Sequence, residues 1–532
     1  MKKLIAMLLA LVIVLALTAC EPNDNVGTTA GTTGASVAHG SVHCICGAND
    51  GEDHIGACTG EKVEWTPWTG TTLPTETGYY YAAHETDEVT LDYTDYTRPG
   101  AVNGSARDIV VDLNGKTYTA PGDMLIILDP VMTLTLTDSS AGHNASIVAS
   151  EELTLSGLHD LIHMEDSDEA TTSTTNIYRV TLDASALEDS SKAGSAIAVE
   201  ASNVLNMYHA VVLGGSISTG NGGAIWNAGT VNLCDTVVYG AEITSKSDAT
   251  GLGGAIYTEG DLNLVDCTIY GAPALRGGAL CITGGNTTMA GGIMYGADVS
   301  TAGCAVNMKA NADTTANFVM KSSDKGEPVI DCSGKTSGNF GGAINIDGYN
   351  SLTHFTMESG QIIGGTAVGA SAGGAILVQD TMNNGKDGKG IFTMNGGTVS
   401  GGIASAGSNG GGNIRVTTGG VAELNGGTIT GGQDAGDNKV GGIKVEKAAH
   451  SLIIGGTVKI TGNEGNDIFL ASGKTITVKA DWAGNGDEPL VIALQNGTGV
   501  FAVAEDGASL TDAQAAFFAG NVKRGSNTLA LQ

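Results

Sequence analysis

Charged residues and long amphipathic helices are both scarce in this chain of 532 residues. Only 15% of the residues are charged, and 25 Lys and Arg stand against 56 Asp and Glu, for a formal net charge of −31. This strong negative charge excludes nucleic acid and anionic lipid headgroups as partners of the folded body. The best helical candidate is the short segment Leu510–Phe518, so the sequence argues against a helical fold.

Glycine, in contrast, is abundant. The chain has 81 glycines together with 41% hydrophobic residues. A disordered chain can be as rich in glycine, but it lacks the regular placement of Ile, Val, Leu and Met found here. The glycines therefore indicate corners between regular segments, because glycine reaches positive φ without steric cost.

A Gly-Gly-Ala-Ile phrase recurs every few dozen residues, which is typical of a solenoid. After each glycine pair, aliphatic residues alternate with residues suited to a solvent-facing side. This alternation has a period of two, which predicts a strand with one buried face. A second and a third short strand follow within each repeat. The clearest copies of the phrase are Gly222–Ile225, Gly253–Ile256, Gly277–Leu280, Gly341–Ile344 and Gly373–Ile376.

Three strands separated by glycine corners make one turn of a coil, and equivalent strands of successive turns stack in parallel. The pattern resembles the right-handed parallel β-helix of the pectate-lyase-like superfamily. We therefore predict an all-β, three-sheet solenoid over residues 108–480, with an N-terminal cap at 71–107. Residues 481–532 are predicted to form a C-terminal cap that contains a short helix. A fold of this kind does not by itself name a function.

The N-terminus has the plan of a secretory signal, with two lysines before an apolar run. Residues 1–19 are the predicted signal peptide, and Leu17–Cys20 resembles a bacterial lipobox in which Cys20 becomes lipid-modified. An ordinary signal peptide or an uncleaved anchor are the alternatives. Residues 20–40 then form the lipid anchor and a flexible linker. The expected location is the extracellular face of the bacterial cell membrane, with the membrane as partner through Cys20.

The densest chemical cluster is a small Cys/His cassette at residues 41–70. Three cysteines and a histidine would satisfy a tetrahedral Zn²⁺ ion, and a closed site with four protein ligands is structural rather than catalytic. A disulfide is the alternative, and His39 and His43 are spare candidates for the histidine ligand. Trp65 and Trp68 are expected to cover the cassette or to dock it. The predicted ligands are Cys44, Cys46, His54 and Cys58.

The cassette also resembles a short leader that precedes β-helices in surface proteins of gut Firmicutes. In that comparison the motif runs from the His-Cys-x-Cys phrase at His43–Cys46 to the two tryptophans. The resemblance adds context for a surface protein and implies no mechanism.

Motifs of polysaccharide-cleaving β-helices are missing. Lyases of this type place an Arg or Lys base beside a carboxylate-bound Ca²⁺, and hydrolases carry paired aspartates with a Gly-His-Gly phrase. The sequence has no Asp-Asp pair and no Gly-His-Gly, and none of Arg179, Arg276 and Arg415 lies in a local cluster of acids. Acids and imidazoles gather at residues 159–169, where a solvated acidic loop is favoured and a Ca²⁺ site stays open.

Several outward features are candidates for ligand contact. Tyr239, Tyr270 and Tyr295 each end a third strand, so they would bind sugar rings if exposed, and core packing is the favoured interpretation if they point inward. Asn395 and Asn425 are predicted to form an amide ladder at a corner. The longest turns carry inserts at 310–328 and 380–390, and inserts of a solenoid often form its binding face. The second insert contains Lys386 and Lys389.

Two functions follow as hypotheses. The first is a non-catalytic, adhesin-like lipoprotein whose β-helix presents a binding surface to a glycan or to a surface protein. The alternative is a lyase or glycoside hydrolase that acts on polysaccharide along the outer face of the same fold. The missing catalytic motifs favour the first hypothesis.

Overall fold

The computed structural model describes most of the chain. The described residues are 42–49, 51–92, 94–95, 107–120, 124–127, 132–150, 160–165, 172–187, 196–218, 220–244, 247, 250–311, 313–349, 351–369, 373–381, 389–405, 410–436, 439–486, 488–505 and 508–532. Cys20, His39 and Lys386 lie outside these ranges, as do the whole of the predicted signal peptide and the whole of the predicted linker.

The chain divides into two compact units. The first comprises residues 1–218, 223–241 and 262–267, and the second comprises 219–222, 242–261 and 268–532. Each unit contains short strands of three parallel sheets, called sheets 1, 2 and 3 and defined below by their strands. Except at the first and last strands, the chain visits sheet 1, sheet 2 and sheet 3 in that order in every turn. The parallel β-helix predicted from the glycine phrase is therefore confirmed in each unit.

The first unit contains the early turns and a small hairpin. Its hairpin pairs Val42–His43 with Val63–Glu64 in antiparallel fashion. Sheet 1 contains Thr94–Asp95, Met124–Ile127, Asp160–Met164, Ile197–Val199 and Ile225–Asn227. Sheet 2 contains Thr66–Trp68, Gly78–Ala82, Arg107–Asp112, Met132–Thr137, Thr174–Tyr178, Val204–Tyr208, Thr230–Cys234 and most of Asp261–Val265. Sheet 3 contains Glu88–Thr90, Thr117–Ala120, Ser146–Ala149, Thr181–Asp183, Val211–Leu213 and Val237–Tyr239.

The second unit repeats the same order over more turns. Sheet 1 contains Ile256–Thr258, Leu280–Ile282, Val306–Lys309, Ile344–Asp347, Ile376–Gln379, Ile414–Val416, Ile443–Val445, Ile468–Leu470 and Ile492–Leu494. Sheet 2 contains Gly285–Ala290, Thr315–Lys321, Leu352–Met357, Lys389–Met394, Val421–Leu424, Ser451–Ile454, Ile476–Val478 and Gly499–Ala504. Sheet 3 contains Thr268–Tyr270, Ala274–Arg276, Ile293–Tyr295, Val299–Ala302, Val329–Ser337, Gln361–Ala367, Thr398–Ser400, Ile403–Ala404, Thr428–Thr430, Gln433–Asp434 and Lys459–Ile460.

The register places like residues above one another. Ile344 pairs with Ile376, and Phe355 lies between Phe318 and Phe392 in the neighbouring turns. The three phenylalanine rings stack with centroids 4.9 and 5.4 Å apart, and all are fully buried. Burying one such side chain contributes about 2–3 kcal/mol, so the inward column forms the core of each turn.

The glycine pair at the start of each turn has a steric cause. A side chain at Gly253 would overlap the carbonyl oxygen of Ile256, and the backbone there has φ +70°. A side chain at Gly342 would overlap the carbonyl oxygen of Gly374 in the next turn. The first glycine thus permits the corner, and the second lets adjacent turns approach closely.

Outward amides add hydrogen bonds between turns in the first unit. Asn206 donates to Asn176, Asn232 donates to Asn206 and Asn263 donates to Asn232, with N···O distances of 2.9, 2.8 and 2.8 Å. The ladder follows the stacking direction and joins four successive turns of sheet 2. Each rung satisfies an amide that the neighbouring side chains partly bury.

Parallel pairing extends beyond both predicted limits of the solenoid, 108 and 480. Thr66–Trp68 already pairs in parallel with Tyr80–Ala82, and Ile492–Leu494 still pairs with Ile468–Leu470. The C-terminal cap begins with the predicted helix, observed at Asp512–Ala516, whose N-terminus Thr511 closes with a capping box. The strand Thr528–Leu531 pairs in antiparallel fashion with Gly499–Ala504 on one side and with Val522–Arg524 on the other. These two strands cover the last edge of sheet 2.

Candidate functional site

The four predicted metal ligands lie together. The ligand atoms of Cys44, Cys46, His54 and Cys58 are all within 4.8 Å of one another. The Sγ atoms of Cys44 and Cys46 are 3.6 Å apart, and His54 Nδ1 lies 3.5 Å from Cys46 Sγ and 3.8 Å from Cys58 Sγ. The three cysteines are buried and His54 is half-buried. This group can bind a metal ion.

The distances match the edges of a metal tetrahedron. An ion with bonds of about 2.3 Å to sulfur and about 2.0 Å to nitrogen separates two sulfurs by roughly 3.8 Å, and sulfur from nitrogen by roughly 3.5 Å. The observed separations of 3.6, 3.5 and 3.8 Å fall close to these values. With these three separations near the expected values and all four ligand atoms within 4.8 Å of one another, the residues present fit a tetrahedral ion.

The three cassette thiols are free, and their surroundings shift the pKa of Cys46 and the pKa of Cys58 in opposite directions. Cys44, Cys46 and Cys58 form no disulfide, so the disulfide alternative is not what the structure shows. The neighbouring Cys44 and Cys58 thiols, with burial, raise the pKa of Cys46. Hydrogen bonds from Cys44 and Cys46 hold the pKa of Cys58 well below its usual range. The cluster thus stabilises a thiolate, the form that binds metals.

The spare histidine and the tryptophans have other roles. The His43 ring stacks on Trp65 with centroids 4.2 Å apart, and His43 Nε2 lies 3.1 Å from the buried carboxylate of Asp112. Trp65 also donates its indole N–H to the backbone oxygen of His43. Trp68 packs against Tyr118 in the first turns of the solenoid. The two side chains brace the hairpin and the early turns rather than the cysteines.

The cysteine cluster rests on the outer face of sheet 2. Cys44, Cys46, Ile55 and Cys58 form one apolar cluster with Tyr178, Tyr208 and Cys234. The three partners from sheet 2 are in register with one another and occupy outward positions. The rings of Tyr178 and Tyr208 stack with centroids 4.9 Å apart. The cassette therefore covers an apolar column that would otherwise face water.

Close contacts and ion pairs hold the edges of the cassette. Glu52 lies 2.9 Å from His143 and 3.4 Å from Arg179, both at corners of the solenoid. Burial alone would raise the pKa of Glu52, but hydrogen bonds with the Asn49 backbone N–H and His143, together with the nearby Arg179, hold it below its usual range. A side chain at Gly56 would meet the Tyr208 ring at 2.7 Å. The cassette and the solenoid are thus fitted to each other.

Sequence reasoning identified the ligands but missed the surface beneath them. Tyr178 and Tyr208 end second strands, each directly after an inward Ile177 or Met207. The period of two therefore places both tyrosines outward, and outward aromatic residues in successive turns are a sign of a covered face. With four protein ligands and no open position, the site suits a structural metal rather than catalysis.

The acidic segment at 159–169 holds an ion pair in its described part. His163 is buried, and its ring nitrogens lie 3.0 Å from Asp160 and 3.3 Å from Glu200. The described ranges contain no group of metal-ligating side chains other than the cassette cluster. His163 thus joins two neighbouring turns of sheet 1 through its charge.

We expect His163 to make stability depend on pH. Burial acts to lower the pKa of His163, but Asp160, Glu200 and Glu165 outweigh it and raise the pKa. The stabilisation is therefore complete below the unfolded value of about 6.5 and is lost as pH rises through the folded value. Urea unfolding of the His163→Gln variant should differ most from the native chain at mildly acidic pH. A difference that grows with rising pH would contradict the assignment.

The tyrosines that end third strands lie on the outside. Tyr239 and Tyr270 are 42% and 37% exposed, and Tyr295 is half-buried. Tyr270 and Tyr295 are in register, and their rings stack with centroids 5.1 Å apart and an interplanar angle of 10°. The core-packing interpretation is therefore wrong for Tyr239 and Tyr270. Asp331 is the next residue along the same outward column.

The described parts of the two predicted insert loops include residues of sheet strands. Residues 310–328 contain the strand Thr315–Lys321, which pairs with both of its neighbours in sheet 2. Lys389 begins the strand Lys389–Met394 and is half-buried, so it is part of the sheet. The amide ladder is confirmed, because Asn425 donates to Asn395 at 2.9 Å.

Among the described ranges, no helix has the length and apolar character needed to cross a bilayer. No family model, no curated protein and no solved structure matches this chain.

Proposed function

We propose that this chain is a cell-surface lipoprotein whose pectate-lyase-like, right-handed β-helix binds a glycan without cleaving it. The lipobox-like Leu17–Cys20 supports a lipid anchor at the extracellular face of the membrane. The net charge of −31 suits an extracellular body that is not drawn to the membrane surface beneath it. The binding role depends on a surface feature of sheet 3.

The observation that carries the proposal is the exposed tyrosine stack. Tyr270 and Tyr295 stack on the outer face of sheet 3, where Tyr270 is 37% exposed and Tyr295 half-buried, and Asp331 follows them in register. The half-buried side chains of Ile293 and Val329 flank the stack in the same sheet. Large aromatic side chains exposed on the outer face of a sheet are typical of a contact surface.

The chemistry of this surface favours a sugar chain. Aromatic rings accept the C–H groups of a sugar by dispersion, while phenol hydroxyls and a carboxylate form hydrogen bonds with its hydroxyls. The turns repeat about every 4.8 Å, so Tyr270, Tyr295 and Asp331 follow one another at that spacing along the stacking direction. A repeating polymer can therefore contact several turns at once.

We further propose that the ion in the cassette is zinc. Three thiolates and one imidazole are soft and borderline ligands, which exclude Mg²⁺ and Ca²⁺ and favour Zn²⁺ in a tetrahedral site. In this role the ion closes the small hairpin segment, which buries few apolar residues of its own. Elemental analysis of freshly purified protein should give about one zinc per chain.

A glycan array with residues 21–532 tests the binding role. We expect Tyr270→Ala with Tyr295→Ala to weaken binding about tenfold, because two rings at roughly 0.5–1.5 kcal/mol each are lost. The matched variant Tyr270→Phe with Tyr295→Phe keeps the rings and should retain most of the affinity. Unchanged binding in the alanine variant would exclude this surface.

The same preparation distinguishes the enzyme alternative. If the chain were a lyase or a glycoside hydrolase, incubation with a bound polysaccharide would release unsaturated or reducing-end sugars. Binding without such release is the result that we expect. Release of product that depends on this chain would replace the binding role with a catalytic one.

A further inference from the structure

A lysine, an asparagine and a glutamate meet on the outer face of sheet 2 in the second unit. Glu423 lies in the strand Val421–Leu424, and Asn425 follows that strand directly. Lys479 follows the strand Ile476–Val478, which is two turns further along the sheet. The strand Ser451–Ile454 lies between them, so the lysine side chain must cross a whole turn to reach the other two residues.

Glycine at the intervening turn makes this crossing possible. A side chain at Gly455 would meet Lys479 Cδ at 2.5 Å and Lys479 Cβ at 3.0 Å. The lysine thus runs through the space that any other residue at 455 would fill. Its backbone is fixed as well, since Lys479 donates its N–H to Ile454 at 2.9 Å and accepts a hydrogen bond from Gln514.

The three functional groups are in direct contact. Lys479 Nζ lies 2.5 Å from Glu423 Oε1 and 2.9 Å from Asn425 Oδ1. Glu423 Oε1 also lies 3.4 Å from Asn425 Nδ2. One carboxylate oxygen therefore touches both the amine and the amide nitrogen. The Lys479 and Glu423 side chains are only 22% and 33% exposed, so water screens the group incompletely.

The asparagine is held in one orientation. Asn425 Nδ2 donates to Asn395 Oδ1 at 2.9 Å, and Asn395 Nδ2 donates to both carboxylate oxygens of Glu358 at 3.0 and 3.1 Å. This chain of hydrogen bonds points the amide oxygen of Asn425 toward Lys479. Asn395 and Glu358 are therefore positioning residues for the amide.

We propose that Lys479 and Asn425 condense into an intramolecular isopeptide bond with Glu423 as the proton carrier. Glu423 takes a proton from the Lys479 ammonium, and the neutral Nζ attacks Cγ of Asn425 to form the new C–N bond. Glu423 then delivers the proton to Nδ2, the Cγ–Nδ2 bond breaks, and ammonia leaves. The new amide nitrogen loses its second proton to this ammonia, which departs as an ammonium ion. Overall, an ammonium and a primary amide become a secondary amide and an ammonium ion.

The arrangement supplies what such a reaction needs. Strands on both sides hold the amine against the amide, which replaces a bimolecular encounter with a contact that is already formed. The bond would join residues two turns apart on the outer face of sheet 2. As a covalent bond, it would resist separation of these turns more strongly than the hydrogen bonds, ion pairs and packing described between turns.

Intact mass spectrometry of the denatured full-length protein tests the proposal. We expect the native chain, after incubation at alkaline pH, to be lighter than its processed sequence by the mass of one ammonia. Proteolysis should yield a branched peptide that joins the segments containing Asn425 and Lys479. A native chain of full mass, with no branched peptide, would overturn the proposal.

Two variants separate this bond from other chemistry. Lys479→Arg keeps the cation and the ion pair but lacks the amine, and Glu423→Gln keeps the shape but lacks the base, so both should have the full mass. Asn425 precedes Gly426, and a succinimide at that pair also releases ammonia. A mass loss that persists in Lys479→Arg would therefore assign the loss to the succinimide and reject the cross-link.

Discussion

We expect the Gly342→Ala variant to lose about 3–5 kcal/mol of folding free energy or to fail to fold. The added methyl group would overlap the carbonyl oxygen of Gly374 in the next turn, and it would also meet the backbone of Gly365 at 2.7 Å. All of these neighbours are backbone atoms, so no side-chain rotation relieves the overlap. The adjacent turns would have to separate and break their shared hydrogen bonds. Urea unfolding at constant protein concentration measures the loss.

A glycine with free space is the matched control. At Gly142 the nearest atoms to an added methyl group belong to the Asn144 side chain at 3.8 Å, and the backbone there does not require glycine. Gly142→Ala should therefore change stability by less than about 0.5 kcal/mol. If Gly342→Ala were equally mild, close approach of the turns would not explain the recurring second glycine.

The fold followed from the sequence because its rules are local and repeat. The alternation after each glycine pair identified the buried face, and the register of Ile344 with Ile376 confirms it. The residues at which the solenoid begins and ends were harder to predict from the sequence. Thr66–Trp68 and Ile492–Leu494 carry no glycine phrase, and their pairing depends on the neighbouring turn rather than on their own residues.

The metal ligands were predictable for a different reason. Cysteine and histidine at short spacing are chemically distinctive, so Cys44, Cys46, His54 and Cys58 could be named before their positions were known. The surface that receives them could not be named as easily. Tyr178 lies more than a hundred residues further along the chain, and only the stacking of turns brings it beneath the cassette.

The tyrosines of sheet 3 show where the alternation of buried and exposed residues along a strand is not enough to predict which way a side chain points. The alternation predicts that one side of a strand is buried and the other exposed. For a strand of three residues that ends in tyrosine, it does not decide whether the tyrosine is on the buried or the exposed side. The neighbours decide the matter, since Ile269 and Met294 are fully buried and Tyr270 and Tyr295 must then face outward. The same argument places Lys479 outward, where it meets Asn425.

Removing one cassette ligand should have the second large effect. We expect Cys58→Ala to reduce zinc from about one ion per chain to near zero, because a site with three ligands and an open position binds a structural metal far less tightly. Without the ion, the buried thiols of Cys44 and Cys46 lose the partner that holds the hairpin against Tyr178 and Tyr208. Amide hydrogen exchange across residues 42–64 should therefore accelerate, while the turns of the second unit keep their protection.

The buried thiol of Cys267 provides the control for this variant. Cys267 lies in the same unit as the cassette, is fully buried and is likewise free, and its Sγ donates to the backbone oxygen of Leu233 at 3.2 Å. Cys267→Ala should leave the zinc content and the exchange of residues 42–64 unchanged, although it removes a similar buried volume. Full zinc content in Cys58→Ala, or loss of zinc in both variants, would show that the four residues do not form the metal site.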